Sequence, residues 1–467
     1  MSKLNHVFKL LLSDTGFVFV AATMASGFSF LATLLMARVL NNSTDFGIYG
    51  SCITLYNYTV ILGNTVQTGT TRTVAQLQAR SGVVGVKHFQ RPAFLSLLRI
   101  GLLLFLPLAL LSVPLAGFLQ ISPWLIVIVF SCAIMLGPLF MTVGTLQGLQ
   151  SFRLFGVSLN VLALTRLIGS VVLTVVGLGV LGATIALPIS VLVNIVANAF
   201  MVYWVIRRRE RRHALNEPPP DPDEIEVEHE LLRHPLKTFF TTSFFALFGI
   251  FSFALLTSVD VLIVRHFFPD KQAGHYAVIA LLGKAVLYFS APIALVALPK
   301  MSHAHEAGEN VGKTFRRNFW LTIGACLIPV AILAALSSFI LKLFAPDAIT
   351  SDLTLLVPLY GVVMLLYSIV TLWIYLFVAI GRNRYMFIVL AAAVLEVGLL
   401  FTFNANLTQI VLVIGIPALL LWAAGEVELR FYLHEYKKAA AIREALISDY
   451  AVATPIPTSV GVKQNKG

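Results

Sequence analysis

Long apolar stretches alternate with short polar connections along most of the chain. A helix needs about 20 apolar residues to cross a bilayer core about 30 Å thick. About twelve stretches of this length occur, at 14–38, 46–71, 93–117, 122–146, 154–177, 181–206, 238–266, 274–299, 318–344, 353–380, 385–403 and 407–433. The pattern predicts an all-α integral membrane protein with about 12 transmembrane helices.

One connection is unlike the others. Residues 207–237 are charged and rich in proline and lack apolar periodicity, which predicts a solvated cytoplasmic linker. The linker separates an N-terminal six-helix lobe, 1–206, from a C-terminal six-helix lobe, 238–436. Residues 437–467 are predicted to be a cytoplasmic tail.

The two predicted lobes share a sequence pattern. Arg38-x8-Gly47-x-Tyr49 follows the first helix, and Arg265-x8-Gly274-x-Tyr276 follows the seventh, 227 residues later. Because six helices is an even number, both copies start on the same side of the membrane. The pattern therefore predicts pseudo-symmetric lobes around a central cavity, related by an axis along the membrane normal, as in many transporters.

Composition and charge define the class of protein further. The chain is 58% hydrophobic and 12% charged, which excludes a soluble domain. With the N-terminus in the cytoplasm, 26 of the 33 Lys and Arg residues fall in cytoplasmic loops, four in outer loops and three within the membrane. This asymmetry predicts a multi-pass protein of a prokaryotic inner membrane with both termini cytoplasmic. It also assigns the net charge of +11 to membrane topology and not to a nucleic-acid partner.

No pattern in the chain predicts catalysis. Gly177-x-Gly179-x-x-Gly182 matches a dinucleotide fingerprint but joins two membrane helices, so we interpret it as a tight turn. Gly308 to Thr314 resembles a phosphate-binding loop but is one residue too short between its glycines. We expect no catalytic residues, no metal site, no cofactor and no enzyme activity.

Ionisable residues inside apolar stretches are candidate functional groups, because they are costly in hydrocarbon. Arg166 and Lys284 lie deep in the fifth and eighth stretches, and Asp260 and Glu396 lie in the seventh and eleventh. Arg99 is a further candidate for the cavity lining, although it is close enough to a helix end for its side chain to reach the interface instead.

The second stretch also carries a polar stripe. Asn57, Asn64, Gln67 and Thr71 are spaced by 7, 3 and 4 residues, which keeps them on one helix face. Such a stripe can line a water-filled cavity or form hydrogen bonds between helices. The sequence leaves both interpretations open.

Two cations within the membrane and two in outer loops together predict an anion site. Arg38, Arg265, Arg166 and Lys284 would form a cationic cavity between the lobes, and phosphate matches arginine and lysine best. The alternative is that Asp260, Glu396 or another internal acid neutralises part of this set.

Several segments resemble a known family. The segment 255–302 contains Asp260, a Gly274-x-Tyr276 turn, Gly283-Lys284 and Pro299-Lys300. In this it is similar to the polysaccharide-transporter family of oligosaccharide flippases, in the multidrug/oligosaccharidyl-lipid/polysaccharide exporter superfamily. The segments that follow the first, fourth and fifth stretches agree.

The resemblance implies two six-helix lobes around a V-shaped cavity and a role in polysaccharide biosynthesis. The implied substrate is a polyprenyl-diphosphate oligosaccharide, which alternating access would move from the inner to the outer leaflet. Implied partners are membrane lipids, a polysaccharide polymerase and glycosyltransferases. Proton or sodium coupling through Asp260 or Glu396 would then be expected.

Other functions fit parts of the same pattern. An ion-coupled multidrug exporter of this fold would have a cavity dominated by acids. A peptidoglycan-precursor flippase would have fourteen helices. A non-transporting membrane scaffold of a glycan-assembly complex would tolerate hydrophobic replacement of Arg166 and Lys284.

Overall fold

The computed structural model describes residues 14–40, 42–213, 248–306, 311–344, 351–382 and 384–453. Within these ranges the regular structure is entirely helical. The helices are α1 (Asp14–Val39), α2 (Ser43–Leu119), α3 (Pro123–Gly148), α4 (Phe152–Leu173), α5 (Gly179–His213), α6 (Phe248–Leu256), α7 (Val259–Phe267), α8 (Asp270–Glu306), α9 (Val311–Phe344), α10 (Ser351–Ala379), α11 (Arg384–Thr402) and α12 (Leu407–Ala453).

Helix α2 contains two membrane crossings. Its backbone breaks at Gly82, where φ is 60° and ψ is −151°, a conformation that glycine adopts without a Cβ clash. The glycines of α3 touch both arms of α2: Gly144 and Gly148 approach Gln67 and Thr71 on the first arm, whereas Gly137 approaches Leu97 on the second. From Gly144 to Gly148 the contacted residue numbers on the first arm rise, so α3 runs parallel to that arm. On the second arm they fall, since Gly137 meets Leu97 and Ile134 meets Gly101, so α3 runs antiparallel to it. The two arms therefore run in opposite directions.

A second reversal joins α4 to α5. Thr174–Leu178 form a π-helical turn, with Gly177 at φ 104° and Gly179 at φ 53°. These glycines belong to the motif that resembles a dinucleotide fingerprint, so the interpretation as a tight turn is confirmed. Helices α4 and α5 pack against each other as neighbours.

Among the described residues, nine helices are long and apolar enough to span a membrane, or ten if the bent pair α6 and α7 is one span. The predicted number was about twelve. The difference has two causes. Phe152–Arg211 is counted as one span although the chain reverses within it, and the first arm of α2, with its many polar residues, is not among the helices apolar enough to span a membrane. Helices therefore occupy all twelve predicted stretches, although the start of 238–266 lies outside the described residues.

The helices group into two lobes that meet through few elements. Helices α1 to α5 pack on one another, and α8 to α12 do the same. Between the lobes, α1 and α2 contact α7, α8 and α9. The space between these crossing helices is where polar residues from both lobes can meet.

The predicted linker and tail fall only partly within the described residues. Helix α5 continues to His213, so the first seven residues of 207–237 are helical and 214–237 lie outside the described ranges. Arginine and glutamate are good helix formers, and no proline occurs between 207 and 217. Helix α12 likewise runs past 437 to Ala453. The domain boundaries themselves stay a prediction.

Candidate functional site

A cavity of about 380 Å³ lies where the two lobes meet. We call it the interlobe cavity. Its wall comes from α1, the first arm of α2, α3, α4 and, from the other lobe, α8. The polar residues among its lining are Ser26, Ser29, Thr33, Tyr56, Asn57, Arg166 and Tyr288.

Arg166 is the charged residue of this wall. Its side chain is 9% exposed, and its Nη2 donates to Thr33 Oγ1 at 3.1 Å. Its Nε has no hydrogen-bond partner, and its guanidinium lies 5.9 Å from the ring centroid of Tyr56. Among the described residues no carboxylate forms an ion pair with Arg166. The cavity therefore presents a cation whose charge no neighbouring acid neutralises.

Sequence reasoning missed the part of this wall that α1 contributes. Ser26, Ser29 and Thr33 are spaced by 3 and 4 residues and line the cavity together. This spacing could have predicted a polar face on the first helix, in the same way as the spacing of the polar stripe on the second stretch. Tyr288 was not readable in this way, because only the packing of α8 against the first lobe brings it into the cavity.

The polar stripe of the second stretch divides between two roles. Asn57 lines the interlobe cavity. Further along, Gln67 Nε2 donates to Gln147 Oε1 at 3.0 Å, and Thr71 Oγ1 donates to the same oxygen at 3.2 Å. Asn64 lies between them, half-buried, outside the cavity lining. Both interpretations of the stripe therefore apply, each to a different part.

A separate polar cluster lies inside the second lobe. Asp260 is 1% exposed, and its Oδ2 accepts hydrogen bonds from Tyr276 and Tyr360, both at 2.7 Å. Glu396 is fully buried, and its Oε2 accepts one from Tyr367 at 2.6 Å. The second oxygen of each carboxylate has no hydrogen-bond partner.

Lys284 belongs to this cluster and does not line the interlobe cavity. Its Nζ donates to Ser258 Oγ at 3.3 Å, and Asp260 and Glu396 are the charged groups that act on it electrostatically. Tyr58, from the first lobe, lies within electrostatic reach of the same two acids, and its hydroxyl has no hydrogen-bond partner. The structure thus separates the two deep cations. Among the described residues neither forms an ion pair, but Asp260 and Glu396 act electrostatically on Lys284, whereas no acid acts on Arg166.

Arg38 and Arg265 lie at one end of the bundle and connect the lobes. Arg38 Nη1 donates to the carbonyl of Leu343, at the end of α9 in the other lobe, at 3.2 Å. Reciprocally, Arg265 donates to the carbonyls of Leu119 and Gln120, at the end of α2, at 3.0 and 3.2 Å. Carbonyls at a helix C-terminus lack intrahelical donors and attract cations. We call these two contacts the latch, and their end of the bundle the latch end.

The latch follows the sequence repeat. Arg38 follows the first span of the first half and caps α9, which is the third span of the second half. Arg265 follows the first span of the second half and caps the second arm of α2, which is the third span of the first half. The two contacts are therefore related by the predicted pseudo-symmetry. Arg265 is 2% exposed and also pairs with Asp270 at 3.1 Å. Arg38 and Arg265 bond backbone carbonyls of the other lobe, and Arg265 also pairs with Asp270, although its Nη1 has no hydrogen-bond partner. These contacts between the lobes favour a structural role for the two arginines.

The repeated glycines close the same end. A methyl group added at Gly274 would lie 1.8 Å from the carbonyl oxygen of Ser43, and one added at Gly47 would lie 3.0 Å from Gly274 Cα. The backbones of α2 and α8 are therefore in direct contact, which only glycine permits. The latch end is closed in this structure.

Arg99 stands apart from all of these groups. It is exposed on the second arm of α2 and lines neither the interlobe cavity nor a second cavity, of about 560 Å³, in the first lobe. The structure therefore does not bring Arg99 to the interlobe cavity, where it was a candidate, and its exposure agrees with the alternative that its side chain reaches the interface.

Comparison with protein families gives one result for the sequence. Residues 11–305, more than half of the chain, match the family described as polysaccharide biosynthesis protein. No curated protein sequence matches the chain.

Solved structures with this fold are transporters. An inward-facing multidrug resistance MATE family transporter of the MOP superfamily is 14% identical with a TM-score of 0.63, over 92% of this chain and 97% of its own. An outward-facing structure of a transporter of that description is 15% identical with a TM-score of 0.56, over 92% and 98%. The lipid II flippase MurJ in an inward closed conformation is 15% identical with a TM-score of 0.62, over 88% and 87%. At these identities the likeness shows a shared fold, which confirms the predicted fold class.

Proposed function

Since the chain belongs to the polysaccharide biosynthesis protein family, we propose that it is a flippase for polyprenyl-diphosphate-linked oligosaccharides. It would move the glycan from the inner to the outer leaflet by alternating access while the lipid tail stays in the bilayer. A solved lipid II flippase has the same fold. The finished unit would serve a polysaccharide polymerase, after glycosyltransferases have assembled it on the inner side.

The observation that carries this proposal is Arg166 in the interlobe cavity. A guanidinium buried without an acid is costly in a low-dielectric setting unless an anion compensates it. A diphosphate supplies that anion and fits the fork of N–H donors. Asn57 and the hydroxyl groups of α1 would then hydrogen-bond the polar head of the substrate.

The state of the structure fits the first half of such a cycle. The positive-inside rule places the latch end outside, because 26 of the 33 cations fall at the opposite side of the predicted topology. An outer end sealed by Gly47 and Gly274 corresponds to a cavity that receives substrate from the cytoplasm.

The two buried acids of the second lobe are candidates for binding the ion whose gradient drives transport. Asp260 and Glu396 each have one carboxylate oxygen without a hydrogen-bond partner, and Lys284 is the cation beside them. We therefore assign Arg166 to the substrate phosphate, and Asp260, Glu396 and Lys284 to the binding of a coupling proton or sodium ion.

The test is lipid analysis in cells that lack this gene and carry variants in its place. Polyprenyl-diphosphate oligosaccharides would be extracted and quantified by mass spectrometry. We expect complete units to accumulate in the deletion strain and with Arg166→Ala, and to fall to normal with the wild type. Arg99→Ala is the matched control, because it removes a membrane arginine that lines no described cavity.

Two results would contradict the proposal. No accumulation in the deletion strain would exclude a lipid-linked substrate. Normal transport by an Arg166→Leu variant that accumulates in the membrane would exclude the cationic site and favour the scaffold function. Membrane level is measured in parallel for each variant, so loss of insertion is separated from loss of transport.

An ion-coupled exporter of small molecules is the second candidate. The buried carboxylates Asp260 and Glu396 and the MATE transporter fold favour it. It predicts drug sensitivity in the deletion strain without any change in lipid-linked oligosaccharides, so the same extraction distinguishes the two functions.

A further inference from the structure

A second large cavity lies in the first lobe, away from the interlobe cavity. It measures about 560 Å³ and is formed by the second arm of α2, by α3 and by α5. Neither α1, α4 nor any described helix of the other lobe contributes to its lining. We call it the lateral groove. None of its residues takes part in the proposed transport site.

The lateral groove carries an excess of positive charge at one end. Lys87, Arg91 and Arg207 line it together with a single carboxylate, Glu210. Lys87 Nζ pairs with Glu210 Oε1 at 2.9 Å. Neither arginine forms an ion pair with a described acid, so two cationic charges remain uncompensated.

The rest of the groove is mostly apolar, and Gln90, Thr142 and Tyr203 are its other polar residues. Phe94, Leu95, Met141, Val202 and Ile206 continue its wall from the charged end. On the same stretch of α5, Tyr203 is 57% exposed and Phe200 is 70% exposed, as expected of side chains that face lipid.

The position along the helices matches a leaflet boundary. Arg91 lies two residues before the apolar stretch 93–117, and Arg207 immediately follows the stretch 181–206. The charged end thus lies at headgroup depth, and the apolar wall extends from it into the hydrocarbon. This is the polarity profile of a phospholipid, and basic pockets between helices at this depth bind anionic headgroups.

We infer that the lateral groove binds a membrane phospholipid with an anionic headgroup, whose phosphate lies between Arg91 and Arg207 and whose acyl chain lies along the apolar wall. Arg207 Nη1 donates to the hydroxyl of Tyr203 at 2.9 Å, which holds it at the mouth of the groove. Because the groove joins α2 to α5, an occupied groove stabilises the packing of these helices at their charged ends. This site is independent of the proposed function, since it does not require a flippase.

The experiment uses the full-length protein purified in detergent. Native mass spectrometry counts bound lipids, and thermal unfolding measures the stabilisation on titration with dioleoyl phosphatidylglycerol or dioleoyl phosphatidylcholine. We expect phosphatidylglycerol to bind and to raise the unfolding temperature, and phosphatidylcholine to do neither to the same extent. Each arginine contributes about fivefold in affinity, so Arg91→Ala combined with Arg207→Ala should weaken binding roughly 25-fold.

The control is built into the repeat of the chain. Phe89-Gln90-Arg91 in the first lobe corresponds to Phe315-Arg316-Arg317 in the second, 226 residues later. Arg317→Ala removes an exposed arginine at the equivalent helix start, which lines neither described cavity, and should leave lipid binding unchanged. Arg91→Lys with Arg207→Lys keeps both charges and should retain most of the affinity.

Four outcomes would overturn the inference. The first is equal stabilisation by the two phospholipids. The second is a double alanine variant that phosphatidylglycerol still stabilises as strongly as it stabilises the wild type. In the third, inorganic phosphate stabilises as well as the lipid, so the apolar wall has no part. A polyprenyl diphosphate that displaces phosphatidylglycerol from the groove would likewise show that it serves the substrate lipid.

Discussion

The contact between Gly274 and Ser43 predicts how one added methyl group changes the conformational equilibrium. Gly274→Ala places a Cβ 1.8 Å from a backbone carbonyl oxygen, which is far shorter than the 3.0 Å at which non-bonded contacts of a Cβ begin. Ser43 is at the start of α2, and its carbonyl cannot rotate away as a flexible side chain would. The two lobes must therefore separate at the latch end.

The size of the effect follows from this distance. A contact of 3.0 Å requires a separation of about 1.2 Å, and an ordinary contact of 3.4 Å requires about 1.6 Å. Overpacking of this kind costs about 1–3 kcal/mol. That cost falls on the state in which the latch end is closed, so the equilibrium should shift toward the open state by about 5- to 150-fold.

Thiol labelling measures this shift. Ser51 is fully buried and one helical turn from Gly47, so Ser51→Cys reports opening of the latch end with little change in volume. The background lacks the native Cys52, Cys132 and Cys326. A membrane-impermeant maleimide is added to intact cells or to inverted vesicles, whichever exposes this end. Gly274→Ala should increase the labelling rate.

A graded series of glycine variants decides whether the reasoning is sound. An added methyl group lies 3.0 Å from backbone at Gly47, 3.2 Å from Ala277 Cβ at Gly50, and more than 4 Å from any group at Gly324. The labelling rates should decrease in the order Gly274→Ala, Gly47→Ala, Gly50→Ala, Gly324→Ala. If Gly274→Ala labels no faster than Gly324→Ala, close packing does not hold this end closed.

Three further predictions concern the other polar contacts. Arg265→Ala should also open the latch end, because it removes two hydrogen bonds to helix carbonyls, and faster labelling of the same Ser51→Cys thiol would show it. Gln147→Leu should lower the free energy of unfolding by about 1–3 kcal/mol, because it leaves Gln67 without its partner, as measured by thermal denaturation. Glu396→Gln keeps an acceptor for Tyr367 but removes the charge, so transport should lose its dependence on the ion gradient while expression stays normal.

The sequence by itself determined the class of protein and most of its helices. Hydrophobic length is a local property, so the twelve stretches could be counted before any helix was placed. The Arg-x8-Gly-x-Tyr repeat was equally local, and it identified Arg38, Arg265, Gly47 and Gly274 as equivalent pairs. The cost of placing an ionisable side chain in hydrocarbon was enough to identify four residues as candidate functional groups: Arg166, Lys284, Asp260 and Glu396.

Only the tertiary structure decided what these residues contact. Arg166 and Lys284 looked alike in sequence, since each is a cation deep in an apolar stretch. Packing brought Lys284 within electrostatic reach of Asp260 and Glu396, which are 24 residues before it and 112 residues after it along the chain, and left Arg166 without an acid. The charge of a site depends on neighbours that are distant in sequence, and helix packing alone brings them together.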